Sequence, residues 1–133
     1  MDATTSIHAA ALWVGLHLIL LLILSLLVVR QRQTHEVLLG DDGVPELTQA
    51  IRAFGNATEY IPAAMISLAV LAMLQAPTIV IHIGGGVLFV GRVTHAIGLS
   101  FSGGATFPRA MGIVITWIAY VVLSAALLFY AIA

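Results

Sequence analysis

The chain has no cysteine and no lysine, and only 8% of its 133 residues are charged. Without cysteine there is no disulfide and no thiolate metal site, so any thiol chemistry must come from a bound molecule. Five arginines against six acids give a net charge of −1, which removes the basic footprint of a nucleic-acid binder. The shortage of charge is the larger departure. A soluble domain carries roughly 25% charged residues, whereas here 61% of the chain is hydrophobic, so most of it must sit in lipid. Also missing is the apolar–polar alternation that a membrane barrel requires. Runs such as Leu18–Leu24 read as helix instead. The first apolar run is preceded by Asp2 rather than by positive charge, which argues against a signal peptide. Glu36, Asp41 and Asp42 lack the ligand spacing of a calcium loop, and no metal site is expected.

Four apolar segments remain: Ile7–Val29, Glu46–Gln75, Thr78–Leu99 and Pro108–Ala131. Each reaches the ~20 residues needed to cross hydrocarbon ~30 Å thick. The expected fold is all-α, an integral membrane four-helix bundle forming one domain over residues 1–133. With four crossings, Arg30, Arg32, Arg52, Arg92 and Arg109 all fall on one side. The positive-inside rule puts that side in the cytoplasm and both termini outside, in the periplasm of a bacterium. Gln75-Ala-Pro77 predicts a tight reversal that makes helices 2 and 3 antiparallel neighbours. Trp13, Phe129 and Tyr130 fit an outer aromatic belt. His17 reads as a buried histidine bonded to a neighbouring helix. Ser100–Thr106 reads as a flexible, glycine-containing loop.

The most informative stretch is Arg52-Ala-Phe-Gly-Asn-Ala-Thr-Glu-Tyr-Ile-Pro62. At about 100° per residue, Asn56 lies about 40° to one side of Arg52 and Glu59 about 20° to the other. The three therefore share one face, and ionisable groups at membrane depth usually face a bundle interior or a cavity. Pro62 removes an N–H, which predicts a bend. In helix 3, Gly84, Gly91 and Gly98 recur every seven residues and predict a face of close helix approach, shared by His95. Arg92 flanks it, either as a binding cation or as a snorkelling anchor. Arg109 stands in the first turn of helix 4, against the helix dipole, so an anion should compensate it: lipid phosphate, or a ligand held jointly with the free N–H groups of the helix start. Together these groups suit a small, multiply charged ligand. Arginines fork onto carboxylates, Glu59 holds an ammonium, and Asn56 both donates and accepts. Glutathione fits that inventory. The competing reading is a structural network of Arg52 and Glu59 that only specifies packing.

These residues carry a resemblance. Arg52 to Pro62 resembles the helix 2 signature of the MAPEG family, the membrane-associated proteins in eicosanoid and glutathione metabolism. Phe89-Val-Gly-Arg92-Val-Thr-His95 is similar to the helix 3 segment of its prostaglandin-forming members, and Gly-Arg followed by His-Ala-Ile-Gly-Leu to many bacterial members. The resemblance implies a homotrimer in the bacterial inner membrane, binding glutathione as cosubstrate between subunits near the cytoplasmic face. By position, Arg52, Asn56, Glu59 and Tyr60 would bind it from helix 2, Arg92 and His95 from helix 3, and Arg30 from helix 1. Arg109 matches the arginine that meets the glutathione sulfur. Gly55, Phe54 and Leu99 depart from the family pattern: a second arginine in prostaglandin-forming members, a polar residue in leukotriene-forming ones, and a tyrosine near the thiol in several. An eicosanoid substrate is therefore not implied.

The implied activity is transferase or peroxidase chemistry on hydrophobic small molecules dissolved in the lipid. A free thiol with pKa near ~8.5 is only a few per cent ionised at pH 7. Lowering it by ~2 units requires about 2.7 kcal/mol of thiolate stabilisation, a task for Arg109 at a helix start. Two other readings compete. One is a non-catalytic lipid- or ligand-binding protein of the same fold. The other is a proton-coupled multidrug exporter, which needs an intramembrane Glu but no Arg52 and Asn56 beside it.

Overall fold

The computed structural model describes residues 3–101 and 104–132, with side chains from Thr5 onward. Asp2, Ser102 and Gly103, which entered the reading of charge and of the loop above, lie outside the described residues. Four helices account for nearly everything else: α1 (Ala3–His35), α2 (Pro45–Met73), α3 (Thr78–Ser100) and α4 (Phe107–Ile132). All four are long and apolar enough to cross a membrane, and among the described residues there is no strand. The chain is an integral membrane protein of four helices. Observed ends fall within two residues of expectation except in α1, which continues through Arg30–Gln33 to His35.

The connections follow from local chemistry. Arg32 donates to the carbonyls of Val37 and Gly40 at 3.5 and 3.0 Å, which closes the C-terminal end of α1. In the turn that follows, Gly40, Asp42 and Gly43 take positive φ, as a Gly-Asp-Asp-Gly turn allows. Asp41 is built into the turn. Its carboxylate accepts from the Thr48 hydroxyl at 2.7 Å and the Gly43 N–H at 3.2 Å. Those bonds, the Thr48 hydroxyl first, hold its carboxyl below the ordinary aspartate range. Pro45 occupies the first turn of α2, where its missing N–H is harmless. Pro62 does not end the helix, and α2 runs through it without interruption.

At the opposite end, Gln75 at φ 58° turns the chain between α2 and α3. The Ser6 hydroxyl donates to the Ala76 carbonyl at 2.8 Å, so the start of α1 is tied to that turn. The four helices thus run up and down, with α1 and α4 both touching α2 and α3 but not each other. The α3–α4 contact is the most extensive, and three glycines spaced by seven residues make it so. A Cβ at Gly84 would meet the Leu123 side chain, at Gly91 the Thr116 and Gly112 backbone, and at Gly98 the Arg109 backbone.

Two apolar clusters fill the interior. One, around Leu68, Leu71, Ile81, Leu88 and Leu123, lies at the Ser6–Ala76 end. The other, built on Leu20, Leu24, Ala53, Ala57, Ile61 and Leu99, lies at the arginine end. The long apolar flank of α1, including Leu18, Ile19, Leu22 and Ile23, faces outward, as a lipid-facing surface should.

Two expectations need correction. His17 is fully buried, but its Nδ1 pairs with the Trp13 carbonyl of its own helix at 2.7 Å rather than with a neighbouring helix. It meets α3 through an edge contact with Phe89. Trp13 is more than a belt residue: it packs over Gly85 and Gly86 and donates to His82 Nδ1 at 3.1 Å. The missing side chains of Gly85 and Gly86 are the space that the indole fills.

Candidate functional site

The arginine end of the bundle contains a cavity of about 420 Å³. From α2 it is lined by Arg52, Asn56 and Tyr60, which lie on one helical face four residues apart. From α3 come His95 and Leu99, and from the start of α4 Thr106, Arg109, Ala110 and Ile113. No Asp or Glu lines it. Two guanidinium groups on a wall without a carboxylate make a receptor for an anion.

Each group is held by the fold. Where α3 and α4 cross, Gly98 lies against the Arg109 backbone and Gly112 against the His95 backbone. His95 Nδ1 lies 2.9 Å from the Arg109 carbonyl. A carbonyl only accepts, so Nδ1 carries the proton and a neutral ring keeps its lone pair on Nε2. Thr106 adds a bond from its hydroxyl to the Gly98 carbonyl at 3.3 Å. The position of Arg109 is therefore set by two backbones in contact, while its own Nη1 reaches the Gly104 carbonyl at 3.4 Å.

Behind this wall sits Arg92, only 1% exposed. That excludes snorkelling, because a snorkelling arginine keeps its head in water. Its Nη2 donates to Asn56 Oδ1 at 3.0 Å, and its guanidinium lies 5.1 Å from the centre of the Tyr60 ring. Nε and Nη1 have no hydrogen-bond partner among the described residues. Tyr60 is fixed in turn by Tyr120, which donates its hydroxyl to the Tyr60 carbonyl and packs edge-on at 5.9 Å. Arg92 is thus a buried cation whose amide and aromatic partners both line the cavity. It adds positive potential without reaching the cavity surface itself.

The sequence-named residues divide accordingly. Arg52, Asn56, Tyr60, His95 and Arg109 are brought together, with Arg92 directly behind them. Glu59 and Arg30 are not: Glu59 is exposed on α2 beyond the lining, and Arg30 is exposed on α1, which contributes nothing to this cavity. Arg52 and Glu59 therefore do not close on each other as a packing network. Sequence reasoning missed Tyr120. Its signal was a phenol in the middle of a largely apolar helix, which needs a hydroxyl partner when buried. It also missed a second cavity of about 520 Å³ that shares Arg52, Leu99 and Arg109 with the first and extends along Gly43, Pro45, Thr48 and Gln49. Among the described residues, no group of three or more side chains is placed to hold a metal ion.

The sequence profile of the MAPEG family matches residues 10–129. A protein of Escherichia coli strain K12, described as inner membrane protein YecN, is 40% identical over 121 residues, 91% of either chain. A protein of the same description from an Escherichia coli O6:H1 strain matches equally.

Proposed function

The chain belongs to the MAPEG family, and from that premise we propose that it binds glutathione in the Arg52–Arg109 cavity and activates its thiol for attack on hydrophobic electrophiles. The observation that carries this reading is the lining itself: Arg52 and Arg109 face one space, with Asn56, Tyr60 and His95 between them and no carboxylate to neutralise them. Glutathione brings two carboxylates for the arginines, and amide and amine groups for Asn56, the Tyr60 hydroxyl and the His95 lone pair. As the thiol ionises, a further negative charge develops. Arg109 stands in the first turn of α4, where helix-start N–H groups and a guanidinium act on the same atom. Arg92 supports the anion from behind at low dielectric.

The reading includes a homotrimer in a bacterial inner membrane, with the termini outside and the cavity on the cytoplasmic side. The two E. coli relatives are described as inner membrane proteins, and the open flanks of α1 and α4 leave room for neighbouring copies as well as lipid. Arg30 and Glu59, which point away from the cavity of their own chain, would then serve a neighbour's site.

The test is Arg109→Ala in purified protein. Glutathione thiolate absorbance near neutral pH and conjugation of 1-chloro-2,4-dinitrobenzene should both disappear while helix content is kept. Unchanged conjugation removes Arg109 from this role. One observation favours a second reading, ligand binding without catalysis: Leu99 presents an apolar side chain to the cavity where several family members have a hydroxyl. Glutathione binding with no conjugation by the intact protein would establish it.

A further inference from the structure

Away from the arginine end, an apolar groove of about 280 Å³ runs between α1 and α2. It shares no residue with either cavity described above. Ile61 and Met65, which line it, lie about 140° or more around α2 from Asn56. The groove therefore sits on the other side of α2 from the arginine-lined wall. We infer that it is a separate binding site for phenols dissolved in the lipid, whose hydroxyl donates to His17 Nε2. Nothing in this inference depends on glutathione.

The ground is one nitrogen. His17 lines the groove, and its Nδ1 lies 2.7 Å from the Trp13 carbonyl. A carbonyl only accepts, so Nδ1 carries the proton and Nε2 of the neutral ring keeps its lone pair. The two ring nitrogens face away from one another, so Nε2 looks away from the turn of α1 that holds Nδ1. It is buried and has no hydrogen-bond partner among the described residues. His17 stands eleven residues beyond Ser6, which is tied to the α2–α3 turn. That is roughly 16 Å into the bundle, near the midplane of hydrocarbon ~30 Å thick. At that depth bulk water supplies no donor, and an unpaired acceptor is costly.

The rest of the lining selects the ligand. Leu21, Ile61 and Met65 have no donor in their side chains, and Pro62 has no N–H to give. The groove thus offers one nitrogen acceptor and no donor. A hydroxyl satisfies it. An ether, ketone or quinone only accepts, and would set lone pair against lone pair. An ionised acid would bring a charge to the membrane midplane. Among hydroxyl compounds, a phenol gives its proton to an imidazole more readily than an alkyl alcohol does. Its ring also suits the sulfur of Met65. Leu18 and Ile66, 61% and 65% exposed, form the rims, so entry is sideways from the lipid.

Two probes test this in the full chain, assembled in bilayer nanodiscs at neutral pH: 4-heptylphenol and its methyl ether, 4-heptylanisole. Both are dosed as mole fraction of lipid, so that partition into the bilayer cancels. The chain has two tryptophans. Trp117→Phe, a change at a half-exposed position, leaves Trp13 as the reporter one turn before His17. The phenol should change Trp13 fluorescence saturably, at a mole fraction about threefold to tenfold lower than the ether. That ratio is the contribution of one neutral hydrogen bond in lipid. In protein carrying nitrogen-15 histidine, the phenol should also move the His17 Nε2 resonance, and the ether should leave it in place. His17→Phe, which removes the acceptor, should equalise the two probes. Should that variant fail to fold, the comparison in the protein with His17 intact decides alone. Equal saturation by phenol and ether there, or an Nε2 resonance that the phenol does not move, overturns the inference.

Discussion

His95 Nδ1 and the carbonyl oxygen of Arg109 lie 2.9 Å apart and join the last turns of α3 to the first turn of α4. The bond links the cavity's imidazole to the backbone of the cavity's principal cation. His95→Ala should lower stability by about 0.5–1.5 kcal/mol, the net value of such a bond, and should weaken glutathione binding as well. Thermal unfolding and calorimetry on the same preparation would separate the two effects. A stable variant with full affinity would show that the tie is dispensable.

The glycines at the α3–α4 crossing should not tolerate a methyl group. A Cβ at Gly98 or Gly112 would collide with backbone, which cannot rotate away. Gly98→Ala and Gly112→Ala should each be destabilising by about 1–3 kcal/mol through overpacking. Gly55 in α2 is the control, with open space where its Cβ would be; Gly55→Ala should be neutral or raise Tm, since alanine favours a helix by about 0.5–1 kcal/mol.

Asn56 and Arg92 should behave as a coupled pair. Asn56→Leu removes the hydrogen-bond acceptor that faces a buried guanidinium, a loss of about 1.5–3 kcal/mol for a bond to a charged group. Arg92→Met removes the charge that needs it. The double variant should therefore be less destabilised than the sum of the singles, and a thermodynamic cycle measures the difference. Strict additivity would mean that the bond contributes nothing.

The α1–α2 turn should respond to acid. The carboxyl of Asp41 titrates below its ordinary value because the ionised form accepts from Thr48 and Gly43. A depressed carboxyl supports the folded turn above the unfolded-chain pKa, and that support is lost as pH falls through the folded value. Amide protection factors at residues 40–44, with the intrinsic pH dependence of exchange divided out, should therefore be high at neutral pH and fall on acidification. In Thr48→Val, which loses the leading cause of the shift, the change should begin at higher pH. Protection that is flat across that range would remove the role given to Asp41.

How much of this could be read beforehand varies by residue. Helix number, and the ends of all but α1, came from the apolar run lengths, because 20 apolar residues have few other uses. The Gly84–Gly91–Gly98 face was also legible, since a seven-residue spacing returns to one side of a helix. Arg52 and Asn56 could be placed together by arithmetic within one helix, but Glu59, on nearly the same face, lies beyond the lining. The lining drifts around α2 from Arg52 through Asn56 to Tyr60, and Glu59 falls on the opposite flank of Arg52 from that drift. Arg92 could not be decided from its position, because snorkelling and burial differ only in what surrounds the helix end. The His95–Arg109 tie and the second cavity depend on how α3 and α4 meet and on how the α1–α2 turn folds back, which no single helix encodes.

The contact of Gly98 with the Arg109 backbone has a practical corollary. Because the two main chains register directly against one another, the connecting stretch between them is relieved of aligning α4. Doubling a flexible connection adds only about 0.6 kcal/mol of closure entropy. A short epitope or fluorophore-binding peptide grafted after Phe101 should therefore leave the Arg109 backbone where it is. That position offers a reporter handle on the cavity's doorstep.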